Sequence, residues 1–345
     1  MKDLTILSTA CGAMFMPGFF NCLKENGERN IKIIGVDMAD NPFMDNLLDG
    51  YYQVPTYTDD NYVDILLDIC KKERIDIFFP QISMELPIIL KRINDFRRLG
   101  VKVAMSDGQT LNVANNKFKL YEHMKKHGLR TPEYYHINNV DELVEGAKKL
   151  GFPEKNVVVK VTESSGSRGV RIIKNNLCRV ENFLYKKPSS FDISMEDMCK
   201  TIEECKELPD TIVMEYLPGC EYTVDLLADH GKTLYIAGRR NYESSMSIAM
   251  ASLIEKKDNA YKLCEEIVST LGLDGNIGFD FMLDENNNPV LTDLNPRITA
   301  TIIIYKDGGL NLPYLRVKQL MGEKLPEISI KYGIRMKRRY WDVFE

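Results

Sequence analysis

The chain has 345 residues, 44% of them hydrophobic, with 45 Lys and Arg against 50 Asp and Glu for a formal net charge of -5. That content can bury a sizeable core across two or three domains. The acidic balance gives no electrostatic footprint for DNA or RNA, and the one basic cluster, KYGIRMKRRY at 331–340, reads as a solvated terminal face.

Met1 is followed at once by Lys2 and Asp3, and no apolar run reaches bilayer length, so a cytoplasmic protein with no membrane partner is expected. The cysteines include no C-x-x-C pair, which fits reduced thiols. The N-terminal third alternates short apolar strands (LTILST, IKIIGVD, IDIFFP, VKVAMS) with the helical patterns FFNCLKEN, YVDILLDICKKER and LPIILKRINDFRRLG. Parallel strands need crossovers, so this predicts an open, doubly wound, Rossmann-like sheet. TACGAMFMPG follows the first strand with Gly12 and Gly18 but is not G-x-G-x-x-G. Although Asp37 ends the second strand, where such folds often place a ribose ligand, the loop reads as a tight turn open towards a ligand crevice.

From residue 112 the pattern changes. NNKFKLYEHMKKHG predicts a helix closing at Gly128, and His123 and His127 on it have no third ligand nearby, so they read as a solvated face. LRTPEY is extended because of Pro132, and VDELVEGAKKLG is a second helix. NVVVKVT, ESSGSRG and VRII predict strand, glycine-punctuated loop and strand. The charged segment 177–208, with the helical SMEDMCKTIEECKE, has the look of a lid insertion. TIVMEYLPG, EYTVDLLAD and KTLYIAGRRN predict consecutive antiparallel strands with a turn at 228–232. After the helix NAYKLCEEIVSTLG, the strands NIGFDFMLD and PVLTDLN are joined by the turn-rich ENNN.

Three stretches carry chemistry. In VVVKVTESSGSRGVRII, Lys160 interrupts an apolar strand, and burying an ammonium among valines is costly unless it meets an anion. Ser164, Ser165, Gly166, Ser167 and Gly169 follow with small side chains and free backbone N–H groups, the composition of a phosphate-cradling nest; a hairpin with a snorkelling lysine is the plainer alternative. VMEYLPGCEYTVDLL sets Glu215 and Glu221 around a Pro218-Gly219 bend, an arrangement able to present backbone groups and a carboxylate to a planar heterocycle. In LTDLNPR, spacing of two puts Asp293, Asn295 and Arg297 on one strand face, and a hairpin with GFDFMLD would set Asp280 opposite. Oxygen ligands converging in this way suit Mg²⁺ completed by phosphate oxygens, with Arg297 free to grip an oxyanion.

These segments, in this order, resemble the ATP-grasp superfamily, and within it the single-unit proteins similar to the carbamoyl-phosphate synthase large subunit. The resemblance implies a pre-ATP-grasp Rossmann-like domain at 1–112, a small lid subdomain at 113–212 and a C-terminal subdomain with the metal site at 213–345. It implies that Lys117 and Lys160 bind the ATP phosphates under an SSGSRG lid that includes Ser165, Gly166 and Ser167. Glu215, Tyr216 and Leu217 would read adenine, and Glu221 the ribose. Asp280, Asp293 and Asn295 would hold Mg²⁺, with Mn²⁺ as an alternative. Arg297 would hold the phosphate in transit, with Lys160 and Asn295 as its catalytic companions, and Arg239 or Arg240 the substrate. The metal-bridging position, usually glutamate in this family, is Asp293.

The implied activity is that of a carbon-nitrogen ligase releasing ADP and phosphate: the γ-phosphate of ATP passes to a small-molecule carboxylate, and an amine or similar nucleophile displaces phosphate from the acyl phosphate. A half-length or split carbamoyl-phosphate-synthase-like enzyme, a small-molecule kinase and a non-catalytic ATP-binding protein remain the alternatives. Relatives of this kind often form homodimers.

Overall fold

The computed structural model describes residues 1–40, 47–106, 110–164, 166, 168–187, 190–245 and 248–339. The first sheet is formed by β1 (Leu4–Ser8), β2 (Ile31–Asp37), β3 (Gly50–Gln53), β4 (Ile77–Phe79) and β5 (Lys102–Val103), all parallel, in the order β3-β2-β1-β4-β5. Its crossovers carry α1 (Met16–Lys24), α2 (Tyr62–Glu73), α3 (Leu86–Lys91) and α4 (Ile93–Arg98). Alternate strand residues enter opposite cores, Ile6 and Ile33 on one face and Leu7 and Ile34 on the other. That is why the strands read as continuous apolar runs. The strand order reverses between β1 and β4, and the crevice beyond their carboxyl ends is where such sheets bind ligands. The short, glycine-led β3 lay outside the sequence reading. The single helix expected after β4 is broken at Arg92, whose backbone leaves helical geometry at φ -114 and ψ 15.

The helices α5 (Thr110–Ala114) and α6 (Lys117–Lys126) lead to a second sheet of β6 (Tyr134–Ile137), β7 (Val157–Val161), β8 (Val170–Ile173), β9 (Asp192–Ile193) and β10 (Thr211–Glu215), ordered β6-β10-β7-β8-β9. Val157, Val159 and Val213 face α7 (Val140–Lys149) and α9 (Met195–Glu204). Val158 and Met214, on the opposite face, belong to the core shared with the third sheet. The segment 177–208 is only partly an insertion. α8 (Arg179–Tyr185) stands out with Phe183 and Tyr185 exposed, but β9 pairs with β8 and α9 buries Met198 and Ile202.

The third sheet, β15-β14-β11-β12-β13-β16, comprises β11 (Glu221–Asp229), β12 (Lys232–Ser245), β13 (Ile248–Ile254), β14 (Gly275–Leu283), β15 (Pro289–Asn295) and β16 (Arg335–Lys337). With it pack α10 (Asp258–Leu271), α11 (Ile303–Asp307) and α12 (Leu312–Leu320). His230 and Gly231, both at positive φ, make the tight β11–β12 turn. One expectation is corrected here. β10 does not continue into β11 and β12 as one antiparallel run; it pairs with β6 and β7 in the second sheet. The Pro218-Gly219 bend carries the chain across, and a Cβ at Gly219 would stand 2.7 Å from the Cβ of Leu283, too close for any other residue. Among the described residues no helix is long and apolar enough to cross a membrane.

Candidate active site

A cavity of about 490 Å³ lies between the second and third sheets and is closed at one end by Phe15 from the first. Lys160 reaches it because β7 alternates, sending Val159 to the helices and Lys160 the other way. Lys117 opens α6, a helix capped by the Asn116 side chain accepting from the Lys119 N–H at 2.9 Å. Its Nζ stands 3.3 Å from Oδ1 of Asp293 and 3.3 Å from the Ser164 carbonyl. Of the loop ESSGSRG, the structure places Gly166 at the cavity wall, at positive φ; Ser165 and Ser167 lie outside the described residues.

The carboxylate row comes from the β14–β15 ladder. Asp280 pairs with Asp293, but Phe281 pairs with Leu291, so Thr292 is an extra residue in β15. The plain alternation expected for LTDLNPR therefore starts only at Asp293. Asn295 donates from Nδ2 to Oδ2 of Asp280 at 2.9 Å, and Arg297 donates from Nη2 to Oδ1 of Asn295 at 3.2 Å. As placed, the Asn295 amide bridges Asp280 and Arg297, and oxygen-only ligation by all three expected ligands requires that amide to turn over. Two carboxylates with a third oxygen in reach still suit a hard divalent cation.

The electrostatics favour such an occupant. Burial, then the nearby Asp293, pushes the Asp280 carboxyl up to about 6, against the pull of Arg239 and Thr223. Burial also pushes the Lys160 ammonium down to about 8, with Lys117 adding to the shift and Asp293 opposing it. Both shifts come first from burial, so a cation beside Asp280 or an anion beside Lys160 restores the charged form.

Glu215, Tyr216, Leu217 and Glu221 line the other end with Val158, Met214 and Phe281. Glu215 accepts from the Glu133 N–H at 3.0 Å, and Glu221 accepts from Ser244 Oγ at 2.6 Å. Of the two arginines proposed for substrate, Arg239 points into the cavity and is buried against Asp225, Tyr305 and Thr299. Arg240, its neighbour in β12, faces the other way and pairs with Glu255. Asp37 does not await a ribose: its carboxylate accepts the N–H groups of Gly12 and Ala39 and holds the loop after β1.

Several residues escaped the sequence reading. Ser83 accepts from Arg297 Nε at 2.9 Å, and the buried Glu85 accepts from Thr9 and Tyr62, joining the loops after β1 and β4. Thr223, Asn241 and Ser252 form a buried polar line leading to Asp280. Their signal was a polar residue at inward positions of otherwise apolar strands, as in EYTVDLL.

Residues 6–104 match the PylC-like N-terminal domain family, and residues 207–339 match the family described as ATP-grasp in the biosynthetic pathway with Ter operon. The chain is 26% identical over 272 residues to a formate-dependent phosphoribosylglycinamide formyltransferase of Bacteroides fragilis, covering 76% of this chain and 64% of that protein. It is 25% identical over 281 residues to the carbamoyl phosphate synthase large chain of Thermoplasma acidophilum, covering 77% of this chain and 25% of that one. It thus spans less than two thirds of either relative. Its fold aligns with that of N5-carboxyaminoimidazole synthetase from Staphylococcus aureus complexed with ADP, at a TM-score of 0.69 and 14% identity over 95% of this chain and 80% of that chain.

The Rossmann-like sheet and the two lobes around the cavity are the fold shared with that synthetase. Over residues 207–339 the chain matches an ATP-grasp family, and it is similar in sequence to the carbamoyl phosphate synthase large chain.

Proposed function

We propose that the chain is an ADP-forming carbon-nitrogen ligase that activates a small-molecule carboxylate as an acyl phosphate and couples it to an amine or similar nucleophile. The observation that carries this reading is the meeting of Lys117, Lys160, Asp280, Asp293 and Arg297 in one cavity. Phosphoryl transfer asks for charge neutralisation and alignment and needs no protein nucleophile.

In this reading Glu215, with the Tyr216 and Leu217 backbone, holds adenine, and Glu221 the ribose. Lys117, Lys160 and the loop at 164–169 hold the phosphates. Asp280, Asp293 and Asn295 would hold Mg²⁺, or Mn²⁺ in its place, and the ion would supply charge neutralisation for the phosphates. Arg297, fixed by Ser83, grips the phosphate in transit, and Arg239 faces the carboxylate substrate. The second lobe shields the acyl phosphate from water. The domain limits 1–112, 113–212 and 213–345, a homodimeric assembly and a cytoplasmic location belong to the same proposal.

The test is ADP and phosphate release from MgATP with panels of carboxylates and amines. ADP with free phosphate and an amide product supports the ligase. A stable phosphorylated product would make the chain a kinase, and tight ATP binding with no substrate-dependent turnover would make it a binding protein.

A further inference from the structure

Phe15, Ile248, Ala249, Ala300 and Thr301 also line the cavity, and the chemistry above leaves them unassigned; Arg239 reaches Thr299, next to Ala300 and Thr301. These segments are tied together. A Cβ at Gly18 of α1 would stand 3.1 Å from that of Ile303, just beyond Thr301, and Arg338 links Met250 to Ala300, its N–H donating to the Met250 carbonyl at 2.8 Å and its Nη2 to the Ala300 carbonyl at 3.2 Å.

The charges are matched. Lys117, Lys160, Arg239 and Arg297 line the cavity, and so do Glu215, Glu221, Asp280 and Asp293. Arg239 is already neutralised by the buried Asp225, and Arg297 is committed to the phosphate in transit. No further Lys or Arg is found among the described lining residues, and Arg338, beside Ala300, gives its Nη2 to the Ala300 carbonyl. A second carboxylate or a phosphate on the substrate would sit there as an unpaired, partly desolvated anion, whereas an apolar group gains by leaving water. Because Arg239, which faces the substrate carboxylate, donates to Thr299, next to Ala300 and Thr301, the substituent of that carboxylate lies against these residues.

We propose that these uncharged residues form a side-group pocket and that the acid activated here is a monocarboxylate bearing an uncharged aliphatic or aromatic group. The inference rests on the ligase reading, and the experiment separates the two. Calorimetry with Mg²⁺ and a non-hydrolysable ATP analogue tests the nucleotide site alone; failure to bind overturns the ligase reading itself. ADP release and hydroxamate formation are then followed with hydroxylamine, whose nitrogen attacks the acyl carbon as the bond to phosphate breaks and phosphate leaves. Leucine and phenylalanine should give at least about 10-fold more hydroxamate than glutamate or O-phosphoserine. Equal or better turnover of the charged acids, or no turnover of the apolar ones with nucleotide binding intact, overturns the inference. Phe15→Ala and Ile248→Ala should each raise KM for the apolar acid by about 10-fold without moving KM for ATP. An unchanged KM for the acid in both variants also overturns it.

Discussion

Thr223 donates a hydrogen bond of 2.9 Å to Oδ1 of Asp280 from the neighbouring strand. Behind it, Asn241 donates to Thr223 at 3.1 Å and Ser252 to Asn241 at 2.8 Å, so three buried donors point one way across four strands. Groups behind a metal ligand fix its orientation and commonly account for 10–100-fold in metal affinity. Thr223→Val should therefore weaken Mn²⁺ binding about 10-fold by electron paramagnetic resonance, and Thr223→Ser should restore it. Equal affinity in the valine variant would reduce the line to sheet packing.

Burial pushes the Lys160 ammonium down to about 8, against its ordinary 10.5. Between those values the unfolded chain binds more protons than the folded one, so this group makes stability rise with pH across that window. A polyphosphate restores the charged form. ATP binding at about pH 9 should take up close to one proton, and affinity should fall as pH rises through about 8. Calorimetry in two buffers of different ionisation enthalpy reads the uptake directly.

Asp280 shifts the other way, from 3.8 to about 6. Its neutral form is favoured on folding, so the stability it contributes is present at low pH and is lost as pH rises through about 6. A cation relieves that loss. Mg²⁺ should raise Tm more at about pH 7.5 than at about pH 5, and an equal effect at both would detach Asp280 from the metal.

Asp293→Ala should abolish ATP turnover while the fold survives, because Asp293 is partly exposed and its ion-pair partner Lys117 is held by a helix with its own cap. Wild-type rates in this variant would remove Asp293 from the metal site.

Asp225→Ala should destabilise the chain by about 3–5 kcal/mol in urea unfolding, because it strands the buried Arg239. Replacing both partners with apolar residues of similar volume should recover most of that loss.

Much of the architecture was legible because each sheet wrote its burial into its period. The first, covered on both faces, gave continuous apolar runs, β7 and β10 gave short apolar runs ending in a charge, and the β11–β12 turn gave its own residues. The site was readable where charge broke an apolar strand, as at Lys160, Asp280 and Asp293. What stayed hidden depended on partners distant in sequence. The extra Thr292 follows from pairing with β14, the move of β10 into the second sheet follows from the crossing at Gly219, and Ser83 is a site neighbour only because Arg297 arrives beside it.

That last contact spans 214 residues. Ile302, Ile304 and Leu315 belong to the same core as Ile6 and Ile33 of the first sheet, so the stretch that completes the cavity also completes that core, and in a chain leaving the ribosome both close late. Nucleotide cannot steady the nascent protein at any earlier stage. Quality control by ligand would act at a single late checkpoint, when Arg297 docks on Ser83.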